Sequence, residues 1–236
     1  LSGNYTAYHV HTELSLLDSA TKFEDYIAKA VELGQTAIAF TEHGNIYQWV
    51  AKKMACDKAG LKYLHGCEVY LTEKLLLTDP RTGEQNKVRD NYHTILIAKN
   101  YAGLQEMNEL ISRSNQGDHF YYKPRITFDE FLGISSNVIK ISACLASPLN
   151  RMSITHPMYE RLLKHYDYLE IQAHDHPEQV AYNRHLAEIS QKYGIPLIAG
   201  TDTHSLNKYK AECRTILQLS KHIEFADEDT FDLTYK

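Results

Sequence analysis

Disulfide chemistry is the first thing this chain lacks. Its four cysteines, Cys56, Cys67, Cys144 and Cys213, are too sparse and irregular for a framework in 236 residues, and there is no Cys-x-x-Cys. A reducing, cytoplasmic setting is expected. No apolar run approaches the roughly 18 residues of a spanning helix, and Leu1-Ser-Gly-Asn-Tyr5 lacks the basic and apolar regions of a signal peptide. No membrane partner is expected. Positive charge is not in excess either: 25 basic residues face 30 acidic ones, for a net charge of -5. That balance excludes a stand-alone duplex binder. Phosphate substrates stay open, because bound divalent cations would offset several of those charges locally. A Gly-rich phosphate loop and a Gly-x-Ser-x-Gly elbow are both missing, so nucleotide-loop and serine-hydrolase chemistries have no support.

Metal-ligating side chains, in contrast, are placed in a pattern. His9 and His11 stand one residue apart in Tyr8-His-Val-His11, and Asp202 and His204 repeat that spacing in Gly200-Thr-Asp-Thr-His204. In an extended strand such a spacing turns both side chains to one face. Between the pairs lie Asp18, His43, Glu68, His93 and Cys144, most of them beside a short apolar run that reads as a strand. Imidazole, carboxylate and thiolate are the ligands of Zn²⁺ and Mn²⁺ sites, and the set suggests more than one ion. Glu68 sits inside the mostly apolar Lys62–Leu71 run, where an unpaired carboxylate is costly and a cation is the natural remedy. Cys67, opposite it by strand alternation, belongs to the core. Cys144 taken alone reads as a packing residue at least as readily as a ligand, and His174, after a strand, is the further histidine that could reach the site.

Thr21-x-x-Glu24 reads as a capping box ahead of Phe23, Tyr26, Ile27, Ala30 and Val31, a helix that ends at Gly34. Ile46, Trp49, Val50 and Met54 mark a second helix, ending near Gly60. Helical patterns recur at 104–114, 158–165 and 179–193, alternating with strands at 35–40, 62–71, 94–98, 138–142, 168–172 and 196–199. This alternation argues for parallel βα units. Ligands scattered from residue 9 to residue 204 converge only if the first and last strands meet, which favours an α/β barrel over an open sheet. His93 begins its strand instead of ending it. After the polar stretch 72–92, with its turn signal Asp79-Pro-Arg-Thr-Gly83, that strand is expected to return antiparallel. Phe120-Tyr-Tyr-Lys-Pro-Arg125 interleaves aromatics with cations, as base-stacking, phosphate-binding loops do, or else packs its tyrosines on the barrel.

With these residues in hand, the chain resembles the polymerase and histidinol phosphatase (PHP) domain, in the branch found at the N-terminus of C-family bacterial replicative polymerases, the DNA polymerase III alpha subunits. The resemblance rests on Tyr8-His-Val-His-Thr-Glu-Leu-Ser-Leu-Leu-Asp18, Ala39-Phe-Thr-Glu-His-Gly-Asn45, Gly66-Cys-Glu-Val-Tyr70, His93-Thr-Ile-Leu-Ile-Ala-Lys-Asn100, Phe120–Arg125, Ile141-Ser-Ala-Cys-Leu145, Leu169-Glu-Ile-Gln172 and Asp202-Thr-His204. It implies a distorted (β/α)7 barrel with three divalent ions (Zn²⁺, Mn²⁺ or Fe²⁺) at its mouth. His9, His11, Glu68 and Asp202 would surround the first, Glu68, His93 and Cys144 the second, and Asp18, His43 and His204 the third. Glu42 stands where the family often has Asp, which bears on the surroundings of the ligands.

The activity implied is metal-dependent 3′ to 5′ exonuclease proofreading, with Glu68, Asp202 and His11 holding the attacking hydroxide. Lys123, Arg125 and Arg151 are the cations nominated for substrate phosphate. Partners would be single-stranded or primer-terminus DNA, the rest of the polymerase chain and replisome subunits. Two other functions compete: a small-molecule phosphomonoesterase of histidinol phosphatase type, and a non-catalytic module that stabilises the polymerase. Residues 1–220 are read as the PHP domain and 221–236 as an acidic linker. Because Phe231–Lys236 looks like the run-in to a further polymerase segment, an excised domain is expected.

Overall fold

The computed structural model describes residues 5–220 and Leu233. Helix α1 (Phe23–Glu32) buries Phe23, Tyr26, Ile27 and Ala30 along one stripe and turns Val31 outward. Gly34, at φ 69°, ends it in the left-handed conformation that a glycine adopts without strain. The expected capping box does not form. Lys22 is the N-cap and makes no side-chain bond, while Thr21 Oγ1 accepts from the Leu206 amide at 3.3 Å. A contact 185 residues away in sequence has taken the local cap.

Strand β1 (Ala37–Phe40) is buried throughout. Helix α2 (Trp49–Ala59) stops at Gly60, φ 75°, but its expected apolar face is not the one it buries. Val50 and Met54 are exposed, and Lys52 and Cys56 face inward. The ion pair described below accounts for Lys52. Strand β2 (Lys62–Thr72) is followed by the short hairpin β3 (Leu76–Thr78) and β4 (Gln85–Lys87), which gives the polar stretch a structure of its own. Strand β5 (Tyr92–Ala98) and helix α3 (Tyr101–Ser114) come next, then β6 (Phe120–Tyr121), β7 (Lys123–Thr127) and the one-turn α4 (Phe128–Leu132). The chain continues through β8 (Val138–Ile141), α5 (Pro148–Arg151), α6 (Tyr159–Leu163), β9 (Leu169–Gln172), α7 (Pro177–Tyr193), β10 (Leu197–Gly200) and α8 (Lys208–Leu219).

β1 and β7 pair parallel to β2, whereas β5 runs antiparallel between β2 and β8. The expected antiparallel return is therefore present, and the sheets are mixed instead of all parallel. β9 and β10 pair parallel, and the Ser142 amide reaches the Tyr168 carbonyl at 3.2 Å. Residues 7–11 lie between two neighbours: Ala39 N–H donates to Ala7 O at 2.9 Å on one side, and His11 N–H donates to Thr203 O at 2.9 Å on the other. Strand alternation sorts the side chains. Ile95, Ile97 and Ile141 pack together with Tyr8 and Ala39, while Leu96 and Val138 join the larger core under α3, α4, α6 and α7.

Of the stretch expected to be an acidic linker, 221–236, only Leu233 lies among the described residues. It packs in the cluster of Phe23 and Ile27, and its carbonyl accepts from Gln35 Nε2 at 2.8 Å. Among the described residues no helix is long and apolar enough to cross a membrane.

Candidate metal centre

His9 and His11 are fully buried and point into the same space, while Val10 between them packs on Phe23 and Ile27. Glu68 is turned to that space by β2, whose Cys67 and Val69 face the outer core. Three ligand candidates lie at or beside strained backbone: Leu17 (φ 62°) precedes Asp18, Ala143 (φ 61°) precedes Cys144, and Asp202 itself has φ 48°. Left-handed conformations cost a non-glycine residue about 1 kcal/mol or more and persist where the surroundings enforce them.

The nine candidate ligands converge. His9 Nε2 lies 3.0 Å from Asp202 Oδ1 and 3.5 Å from Glu68 Oε1, and His11 Nε2 lies 3.3 Å from both Asp202 Oδ1 and Glu68 Oε2. Two donors about 2.1 Å from a tetrahedral ion stand about 3.4 Å apart, so these separations suit a shared cation. His93 Nδ1 is 2.9 Å from Glu68 Oε1, with Cys144 Sγ 3.6 Å from His93 Nδ1 and 3.9 Å from Glu68 Oε1. Asp18 Oδ2 sits 2.8 Å from His43 Nε2 and 3.1 Å from His204 Nε2. His43 also reaches Glu68 through Nδ1, at 2.7 Å, so the donor groups overlap. His9 Nε2, His11 Nε2, His43 Nδ1, Glu68 Oε2 and Asp202 Oδ1 are buried without a hydrogen-bond partner. Orphaned lone pairs aimed at one another are what a cation would satisfy.

A second layer stands behind His11, of which the sequence marked only Glu42. The Ser15 hydroxyl donates to Glu42 Oε2 at 2.6 Å, which leaves its oxygen to accept from His11 Nδ1 at 2.9 Å. His11 thereby keeps Nε2 for the centre. Glu42 also accepts from Thr12 N and Thr12 Oγ1, and Lys52 Nζ pairs with it at 2.6 Å, both side chains almost wholly buried.

The mouth above the ligands is a cavity of about 610 Å³, bordered by Phe120, Lys123 and Arg214. Lys123 donates to the Tyr70 hydroxyl at 3.0 Å. Arg125 departs from its expected role. It is buried, and its guanidinium holds the carbonyls of Val88, Asp118 and His119, so it braces loops instead of facing substrate. Arg151 ends α5 exposed and is not among the residues bordering this cavity. Arg214, on a helix the sequence did not reveal, borders the mouth and donates to Asp18 Oδ1 at 3.0 Å. His174 joins none of the donor groups among the described residues. A larger apolar cavity of about 820 Å³ lies at the other end of the strands, lined by residues such as Tyr63, Leu64, Ile97 and Ile139 and by none of the ligand candidates.

The PHP domain family model matches residues 7–175. The chain belongs to the PHP family. Over 98% of its length this PHP domain is 33% identical to the DNA polymerase III subunit alpha of Aquifex aeolicus, and over 89% it is 33% identical to that of Borreliella burgdorferi. It spans about a fifth of those relatives, 21% and 19% of their length. Among solved structures it is similar to a protein from Bifidobacterium adolescentis whose description is that of a metal-dependent phosphoesterase (TM-score 0.59, 13% identity, 85% of this chain and 87% of that one). An amidohydrolase from Chromobacterium violaceum is also similar (TM-score 0.53, 12% identity, 85% and 88%). At such identities the likeness shows the fold.

The electrostatics of the PHP site set a pH dependence. Burial opposes protonation of His9 and His43, yet Asp202 and Glu170 hold His9 well above its ordinary pKa, and Glu68 and Asp18 lift His43 to about 9. A pKa raised by folding gives stability that is complete below the unfolded value, near 6.5, and is lost as pH rises through the folded one. Metal-free protein should therefore melt lower at pH 9 than at pH 6. Ligation needs neutral imidazole, so cation affinity should rise across the same window and uptake should release protons. Calorimetric titration in two buffers of different ionisation enthalpy counts them, and uptake without proton release would contradict the ligand role of His9 and His43.

Proposed function

We propose that this PHP domain is a divalent-metal-dependent phosphoester hydrolase that trims single-stranded DNA from its 3′ end, as the proofreading activity of a DNA polymerase III alpha chain in the cytoplasm. The observation that carries the reading is the convergence of nine ligand candidates with five buried, unsatisfied donor atoms on one solvent-connected mouth. We assign three ions to it: His9, His11, Glu68 and Asp202 around one, Glu68, His93 and Cys144 around another, and Asp18, His43 and His204 around the third. The backbone pairing, which runs from residues 7–11 through β1, β2, β5, β8, β9 and β10 and back, supports a distorted seven-stranded barrel with these ligands at one end.

Bound divalent cations supply a nucleophile near neutral pH and neutralise charge on the oxygens of the scissile phosphate. The remaining tasks fall to side chains. Lys123 and Arg214 at the rim attract the phosphate backbone, while Phe120, 46% exposed, offers a ring face to the last base. Glu42, through Ser15, keeps His11 oriented. Similarity to polymerase alpha chains favours a DNA end over a small phosphate ester.

Protein loaded with Mn²⁺ or Zn²⁺ should shorten a 5′-labelled single strand one nucleotide at a time. Asp202→Asn and His11→Ala, folded by circular dichroism, should lose more than the roughly 10 to 100-fold that removal of an outer partner costs. Turnover of histidinol phosphate with intact DNA would replace this reading by the small-molecule phosphatase. Silence on both substrates with ions bound would leave a scaffold.

A further inference from the structure

Glu170 is a buried carboxylate that hydrolysis leaves without a task. It is fully inaccessible on β9, yet each oxygen is engaged: Oε2 accepts from the Tyr8 hydroxyl at 2.9 Å, and Oε1 accepts from Gln172 Nε2 at 2.6 Å and lies 2.7 Å from His9 Nδ1. Its own amide is fixed by Ser142 Oγ at 2.9 Å. Tyr8 and Gln172 bring donors, so they pin the carboxylate as an acceptor facing His9. Nδ1–H of His9 satisfies that contact, so in the neutral imidazole that ligation needs, Nε2 holds the lone pair towards Asp202 and Glu68.

The neighbouring strand makes room for this arrangement. β10 runs parallel to β9, with Ile198 opposite Glu170 and Gly200 opposite Gln172. A Cβ on Gly200 would stand 2.4 Å from Glu170 Cδ, 2.6 Å from Oε1 and 2.8 Å from Cγ, each closer than real Cβ atoms approach. No left-handed backbone calls for glycine at this position. The missing side chain is therefore explained by the volume Glu170 occupies. Two residues further on, the same chain supplies Asp202.

We propose that Glu170 is a positioning residue for the metal centre, holding His9 with Nδ1–H outward and Nε2 inward, and that Gly200 is the vacancy in which Glu170 is seated. A carboxylate behind a ligating imidazole fixes its tautomer and orientation and raises its basicity as a ligand. This rests on the metal-centre reading above. It assigns Glu170 a role that neither touches substrate nor binds the ion.

Affinity of the 236-residue chain for Mn²⁺ and Zn²⁺, measured by competition with a chelating indicator, tests it without recourse to activity. Glu170→Gln keeps the shape and removes the charge, and Gly200→Ala displaces the carboxylate without altering Glu170 or its partners Tyr8, His9 and Gln172. Each should weaken uptake by about 10 to 100-fold. Because Gly200 acts through Glu170, adding Gly200→Ala to Glu170→Ala should cost nothing further, whereas two unrelated packing defects would multiply. Measuring uptake well below the metal-free melting temperature of each variant, with the fold checked by circular dichroism, separates positioning from unfolding. Parent protein that takes up ions, with both single variants within twofold of it, overturns this inference alone. Multiplying effects in the double variant overturn the seating role of Gly200. A parent that binds no divalent ion overturns the metal-centre reading and this inference together.

Discussion

Glu68→Gln is expected to abolish stoichiometric uptake of divalent ions and to destabilise the metal-free protein by about 3–5 kcal/mol, the usual cost of stranding one partner of a buried charge set. Glu68 is completely buried, with His9 and His93 3.5 and 2.9 Å from Oε1 and His11 and His43 3.3 and 2.7 Å from Oε2. Burial pushes its carboxyl pKa up, but the charges of His93 and His43 prevail and hold it well below the carboxylate range. A glutamine amide presents N–H where two of those imidazoles need an acceptor, and it removes one of the two carboxylates, Glu68 and Asp18, that face His43. Elemental analysis of protein prepared without chelator, together with its melting curve, reads both effects. Glu32→Gln, on the exposed side of α1, is the control that should change neither. A Glu68→Gln protein that retains the metal content of its parent would remove Glu68 from the centre.

Lys52→Met should act almost as strongly, although Lys52 lies on a helix outside the ligand set. The pair it forms with Glu42 is 2.6 Å long, with side chains 2% and 1% exposed. Burial raises the pKa of Glu42 and Lys52 is the main influence drawing it down, so methionine leaves an uncompensated carboxylate. The expected loss is again about 3–5 kcal/mol, or about 10 °C in melting temperature for a chain of this size. Since Glu42 anchors Ser15 and Ser15 orients His11, metal affinity should fall with it. A denaturation midpoint within about 1 kcal/mol of the parent would mean that water reaches Glu42 once the lysine is gone.

Side chains that act through local spacing were legible. His9 and His11, Asp202 and His204, and a carboxylate at Glu68 inside an apolar run each announce themselves within a few residues, and the strands beside them follow from the same apolar runs. What stayed hidden depends on distant partners. Lys52 resembles any solvated helix lysine until Glu42 lies beneath it, and Glu170 is given meaning by His9, 161 residues earlier. Helix α8 escaped because its apolar members Tyr209, Ile216 and Leu219 face outward, and Arg214 escaped with it. Arg125 misled for the opposite reason. An arginine among tyrosines looks like a phosphate contact, and nothing in its neighbours tells of the three carbonyls it gathers.

The two amide contacts by which residues 9–11 meet Thr203 also set an order of events during synthesis. The Thr203 amide donates to His9 O at 3.0 Å and the His11 amide donates to Thr203 O at 2.9 Å, so His9 and His11 acquire these partners only when residues 202–204 have left the ribosome. Elements joined by local contacts can form while the chain lengthens, but this seam closes late, after nearly 200 residues of loop have been gathered in. A chain truncated before residue 202 lacks two of the nine candidate ligands and this seam, and should fail to retain divalent ions that the full chain takes up.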